Sequence, residues 1–298
     1  MDVYNQDFNK PYGQGNPQRV QPEQVNEYKL DNFGITIDAV KGQMFGTPVV
    51  DPVTGKALPD SYYKQAIKSA VGWAEKRFDV SILPRFVVEE KDFNLNEANS
   101  YMYQKLLHRP VLQVEHFDIN LNGGGFINFP TRWWKVESLA GTLQIMPGFG
   151  TQYGMSGMGH GMLTNYNDLQ ANNILSYSLM PYGQNSSTAP QAFHVNYVAG
   201  MLPQAREGVE QAWELPTELL WVILKQAAKE VLQVFGRLIL SPGIASQSLS
   251  IDGITEQKTS TASAMYGGMQ ADIMQLDKDI AQYSSGLDAK FGPRISMI

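Results

Sequence analysis

The chain has 298 residues, 43% hydrophobic and 17% charged, with a formal net charge of −6 and no cysteine. That length holds two compact domains or one domain with a large insertion. The acidic balance argues against a dedicated nucleic-acid binder, and disulfides and thiol chemistry are excluded. The start, Met1 to Gln6, lacks the basic and apolar blocks of a signal peptide. The apolar run Leu219–Leu224 is far too short to span a bilayer, so no membrane partner is expected.

Residues 1–30 are rich in Gln, Asn, Pro and Gly, with Tyr4, Phe8 and Tyr12 scattered among them. This composition predicts a flexible arm whose aromatics dock on a neighbour during assembly. Phe33 to Asp38 alternates like a strand, and Asp51 to Lys56 reads as a turn. A helix is predicted over 60–78, capped by Asp60 or Ser61, with Tyr63, Ile67, Ala70, Val71, Ala74 and Phe78 on one apolar face. Val80 to Phe93 reads as strand or extended chain, and Asn96 to Leu107 as a short helix or strap.

Residues 109–200 read as β-rich. Val111, Val114, Phe117, Ile119 and Leu121 suggest one strand, with a turn at Gly123-Gly124-Gly125. Phe126 to Phe129, Trp133 to Leu139 and Gly141 to Met146 suggest three more. Phe149 to Gly161 is too glycine-dense for a regular element. It reads as a surface loop, or more sharply as a methionine-bearing loop that packs on a partner ring. Ile174 to Tyr182 and Ala192 to Val198 return to strand-like alternation around a loop at 183–190.

The longest helix is predicted over 215–240. Pro216 suits a first helical turn, and Pro242-Gly243 stops the helix. Lys225, Lys229, Gln233 and Arg237 form one narrow polar stripe, and Leu219, Ile223, Val231 and Phe235 belong to the broad apolar remainder. Such a helix is covered on more than one side. The polar arm 246–263 follows, with Leu249 and Ile251 alternating with serines and a turn at Asp252-Gly253. A last helix is predicted over 264–288. Its apolar seam is Tyr266, Met269, Ile273, Leu276, Ile280, Tyr283 and Leu287, flanked by Asp272, Asp277, Lys278 and Asp279.

Signals for chemistry are weak. His108, His116, His160 and His194 form no His-Glu-x-x-His or tight cluster, and the neighbours Glu115 and His116 point to opposite faces of a strand. Gly123-Gly124-Gly125 lacks the Lys-Ser/Thr end of a phosphate loop, and Ser156 does not sit in a nucleophile elbow. Glu89-Glu90 reads as solvated surface. Trp133-Trp134 divides between core and partner more readily than it stacks on a base or sugar. No catalytic residue, metal or cofactor is expected.

The order of these segments resembles the bacteriophage head–tail connector (adaptor) family of tailed phages. The matching pieces are the 60–78 helix, Arg109-Pro110-Val111, Asn196-Tyr197-Val198-Ala199-Gly200, the Leu215–Leu240 helix, Ser248–Gly253 and the helix after it. The resemblance implies an α+β protein with a helical connector core and an inserted β-rich domain. Its parts would be an arm (1–30), first core part (31–108), β insertion (109–200), core helix (201–245), and arm with C-terminal helix (246–298). It implies a structural virion protein at the head–tail junction, assembled in the bacterial cytoplasm. The protein would form an adaptor ring, a dodecamer, that joins the portal protein to tail or neck proteins. DNA would pass through the channel without specific binding during genome packaging and release. Portal binding falls on Leu249, Ile251, Asp252, Gly253, Met269, Ile273, Leu276 and Ile280. The ring interface falls on Leu219, Ile223, Val231 and Phe235. The alternatives are a tail-completion or tail-tube component and, more remotely, a virion glycan hydrolase using carboxylates such as Glu89, Glu90 and Asp118.

Overall fold

The computed structural model describes residues 20, 22–46, 49–50, 55–94, 103–120, 126–128, 134–145, 188–204, 213–240, 246–251, 254–259 and 269–292. They combine helices with antiparallel sheets, an α+β fold. The chain divides into two compact units. One draws on Met1–Tyr28, Leu83–Leu202 and Gln211–Trp213, the other on Lys29–Ile82, Pro203–Glu210 and Glu214–Ile298. The loop expected at 149–161, the strand expected at 174–182, the glycine turn at 123–125, Trp133, Ser156 and His160 lie outside the described residues.

The first unit is built on strands β1 (Arg85–Asn94), β2 (Tyr103–Lys105), β3 (Val111–Asn120), β4 (Phe126–Asn128), β5 (Trp134–Glu137), β6 (Thr142–Ile145) and β7 (Thr188–Ala199). One sheet has the order β1-β7-β3-β4 and the other β2-β6-β5, all pairings antiparallel. Strand β7 is central because Phe193, Val195, Tyr197, Val198 and Ala199 are all buried, as a strand paired on both sides requires. The Phe117 and Phe193 rings, one on β3 and one on β7, lie 5.4 Å apart.

The end of the predicted flexible arm is ordered. Pro22–Glu27 forms a 3-10 helix, and Val20 is buried with Leu112, Val198, Leu202 and Trp213, with Val25 and Tyr28 packed on them. The polar composition of residues 1–30 outweighs these three apolar anchors in the sequence, and only the cluster they join makes them effective.

The second unit holds a 3-10 helix (Leu30–Phe33), then α1 (Ile37–Gly42), α2 (Asp60–Phe78), α3 (Thr217–Leu240), strands β8 (Ser246–Ile251) and β9 (Ile254–Thr259), and α4 (Gln270–Phe291). Helix α3 is the hub, touching α1, α2 and α4. The strand expected at 33–38 is not formed. Gly34 closes the 3-10 turn in the left-handed region, and the Thr36 side chain accepts the Ala39 amide to cap α1. Cap chemistry at Thr36 overrides the short alternation around it. Helix α2 buries the expected face but begins at Asp60 without a side-chain cap from Asp60 or Ser61. The segment expected to be a short helix or strap contributes β2, which pairs with β6.

Candidate functional site

The lysines of the α3 stripe are used inside the helical unit. Lys225 Nζ lies 2.7 Å from Asp279 Oδ2, and Lys229 Nζ lies 2.5 Å from Asp277 Oδ1. Asp279 also accepts a 2.8 Å bond from Gln275 Nε2. The hydrogen bond from Lys225 holds the Asp279 carboxyl below its ordinary pKa. The far end of α4 is pinned to α2 by Arg77 on Asp288 at 2.7 Å, with the Phe78 and Phe291 rings 6.4 Å apart.

Along α4 the seam is closed. Ile273, Leu276, Ile280, Leu287 and Phe291 are buried, and Met269 is half-buried. Leu219, Ile223, Val231 and Phe235 of α3 are buried in the same unit. Of the residues expected to face the portal or a ring neighbour from these helices, all but the half-buried Met269 are buried within the chain itself. A periodic seam shows that a face is covered, and the covering element here is the adjoining helix. What α3 and α4 leave outside is different: Trp221 (39% exposed), Val234, Met274 (51%) and Tyr283. A groove of about 360 Å³ runs along Gln226, Lys229, Glu230, Gln233 and Val234.

The arm is a two-stranded ribbon. β8 and β9 pair from Ser246↔Thr259 to Ile251↔Ile254, which places Leu249 and Ile251 on β8. The turn residues Asp252 and Gly253 lie outside the described residues. Strand β9 was not legible, because Thr255 to Thr259 carries no apolar alternation. Among the described residues neither outer edge of the ribbon pairs with a third strand. Such a ribbon is marginal alone, and its unpaired N–H and C=O groups are a template for adding to another sheet.

In the sheet unit, the two distant motifs Arg109-Pro110-Val111 and Asn196–Gly200 meet. Val111 pairs with Ala199, and the Gly200 amide donates to the Pro110 carbonyl at 2.9 Å. Gly200 has φ 139°, and a Cβ there would stand 2.6 Å from the Leu83 carbonyl and from Pro84. Only glycine fits that close approach.

Beside this junction, the Tyr197 hydroxyl donates to Glu89 Oε2 at 2.8 Å and accepts the His108 amide at 3.1 Å. Glu89 also accepts the Leu107 amide at 3.1 Å and pairs with Lys91 at 2.7 Å. Burial, with the neighbouring Glu89 carboxylate, pushes the Tyr197 hydroxyl well above its ordinary pKa, so it stays a donor. Glu89 thereby fastens the 107–108 backbone to β1. In the sequence Glu89 reads as solvated surface and Tyr197 has no role beyond its motif, since hydroxyl partners 108 residues away leave no local pattern. Asp118 lies on β3, in register with His194. Among the described residues no group of three or more His, Asp or Glu could hold a metal ion. No helix among them is long and apolar enough to cross a membrane.

No family model matches the chain, and no curated protein matches it. Among solved structures the chain is similar to one described as "Neck of empty GTA particle computed with C6 symmetry". The two are 12% identical, with a TM-score of 0.37, and the match covers 81% of this chain and 91% of that one.

Proposed function

We propose that this protein is a non-catalytic structural component of the neck of a phage-like particle, an adaptor ring between the portal vertex and the tail. The observation that carries the reading is the placement of the resembled motifs. They fall in family order on α2, the start of β3, the end of β7, α3, the β8–β9 ribbon and α4. Two of them, far apart in sequence, are joined by the Gly200–Pro110 hydrogen bond. In this reading the helical unit supplies the body of each ring subunit. The β9 edge of the ribbon adds to a sheet of the portal. Ring contacts on α3 and α4 fall to Trp221, Val234, Met274 and Tyr283, because the seam residues are already covered.

The ring would match the portal in copy number, a dodecamer. Quantitative mass spectrometry of purified particles tests this. A copy number near that of the portal supports the adaptor reading. A large excess would instead identify a tail-tube subunit, and absence from particles would end the virion reading.

A further inference from the structure

Besides the ribbon, several strands end a sheet among the described residues, and β1 is one of them. Strand β1 ends its sheet, with β7 as its neighbour on one side and, among the described residues, none on the other. Its two halves differ. Glu89, Glu90, Lys91 and Asp92 place charges along the second half, and an irregularity follows between Lys91 and Phe93. Charges and bulges of that kind are how proteins keep edges from pairing. The first half carries one charge, Arg85, and no irregularity from Phe86 to Val88. Phe86 and Val88 are 42% and 55% exposed, although the helix Pro22–Glu27 comes near the strand. Two apolar residues two apart on a strand share one face.

The ribbon carries the same spacing: Leu249 and Ile251 are two apart on β8. β8 has six residues, about 20 Å of strand, enough to run from Phe86 to Lys91. Laid antiparallel with Leu249 opposite Val88, Ile251 falls opposite Phe86. Ser250, Ser248, Gln247 and Ser246 fall opposite Val87, Glu89, Glu90 and Lys91. No like charges are opposed, and both apolar pairs are made in one register. Shifting by one residue puts the two pairs on opposite faces.

We propose that copies of this chain associate by strand exchange, β8 of one copy adding antiparallel to the free edge of β1 in the next, with Leu249 opposite Val88 and Ile251 opposite Phe86. The contact is head-to-tail: one donor and one acceptor per copy, the kind of interface that closes rings. It moves Leu249 and Ile251 from the portal to a second copy and leaves the β9 edge for the portal. It rests on the ring-forming reading above.

The chain has no cysteine, so introduced thiols report cleanly. Directly opposed strand residues have Cα atoms about 4.5–5.5 Å apart, within disulfide reach. Oxidised Val88→Cys/Leu249→Cys protein should give a ladder of covalent oligomers. The control Val87→Cys/Leu249→Cys, with thiols on opposite faces, should give none. Val88→Lys, a change at an exposed position, should weaken self-association at least tenfold by light scattering without changing the melting temperature. Suppose the wild-type chain assembles but the matched pair gives no ladder, closes only within one chain, or matches the control. The strand exchange is then wrong and the ring reading stands. A wild-type chain that stays monomeric in solution and in particles overturns both.

Discussion

At the scale of single residues, Tyr197 and Glu89 show how a polar cluster can serve architecture. Their hydrogen bonds fix the backbone at Leu107 and His108 against β1. Tyr197→Phe leaves the ring's packing but strips a partner from Glu89 and from the His108 amide. A loss of about 1–3 kcal/mol in chemical denaturation is expected. The tyrosine's pKa is raised in the folded chain, so its contribution is complete below the ordinary tyrosine value of about 10. It declines as pH rises from there toward the folded value. Wild-type stability should therefore fall on the alkaline side more steeply than that of Tyr197→Phe. Equal alkaline slopes would remove Tyr197 from that role.

At the scale of elements, α4 is held to α3 by an apolar seam and two ion pairs. Leu276 is fully buried, so Leu276→Ala should cost about 2–5 kcal/mol, whereas Met274→Ala, at an exposed position, should cost little. Urea unfolding of the two variants checks this. The reverse order would mean that the seam faces a partner and not α3. Asp279 adds a pH dependence of the opposite sign to Tyr197. Its folded pKa is depressed, so its contribution is present above the ordinary aspartate value, about 3.9, and is lost as pH falls below it. Asp279→Asn should lower neutral stability by about 1–2 kcal/mol, since the pair is only partly exposed, and should flatten the acid limb. Denaturation midpoints at neutral pH and below pH about 4 are the measurement.

At the scale of the whole molecule, the net charge of −6 bears on how the protein would treat DNA in the proposed channel. A wall that releases few counterions does not grip a passing duplex. The purified protein should leave duplex DNA unshifted in a gel at about 0.15 M salt. A retained, salt-sensitive complex would contradict a channel through which DNA slides. The proposed contacts with a portal and with a second copy would use the two-edged ribbon and the half-guarded edge of β1.

The amino-acid sequence by itself determined the α+β class and the course of α2, α3, α4, β3 and much of β7. In each, apolar residues recur at the period of the element, a local property that hydrophobic burial enforces wherever the element is placed. Tertiary structure alone decided what covers each apolar face. The α3 and α4 seams, which suggest partner surfaces when read along the chain, are covered within their own unit, because periodicity reports that a face is buried and not against what. It also decided that Val20, Val25 and Tyr28 anchor a polar segment, that the α3 lysines find Asp277 and Asp279, and that Tyr197 finds Glu89. These contacts join residues dozens to more than a hundred positions apart. Their energy depends on geometry that no local pattern carries.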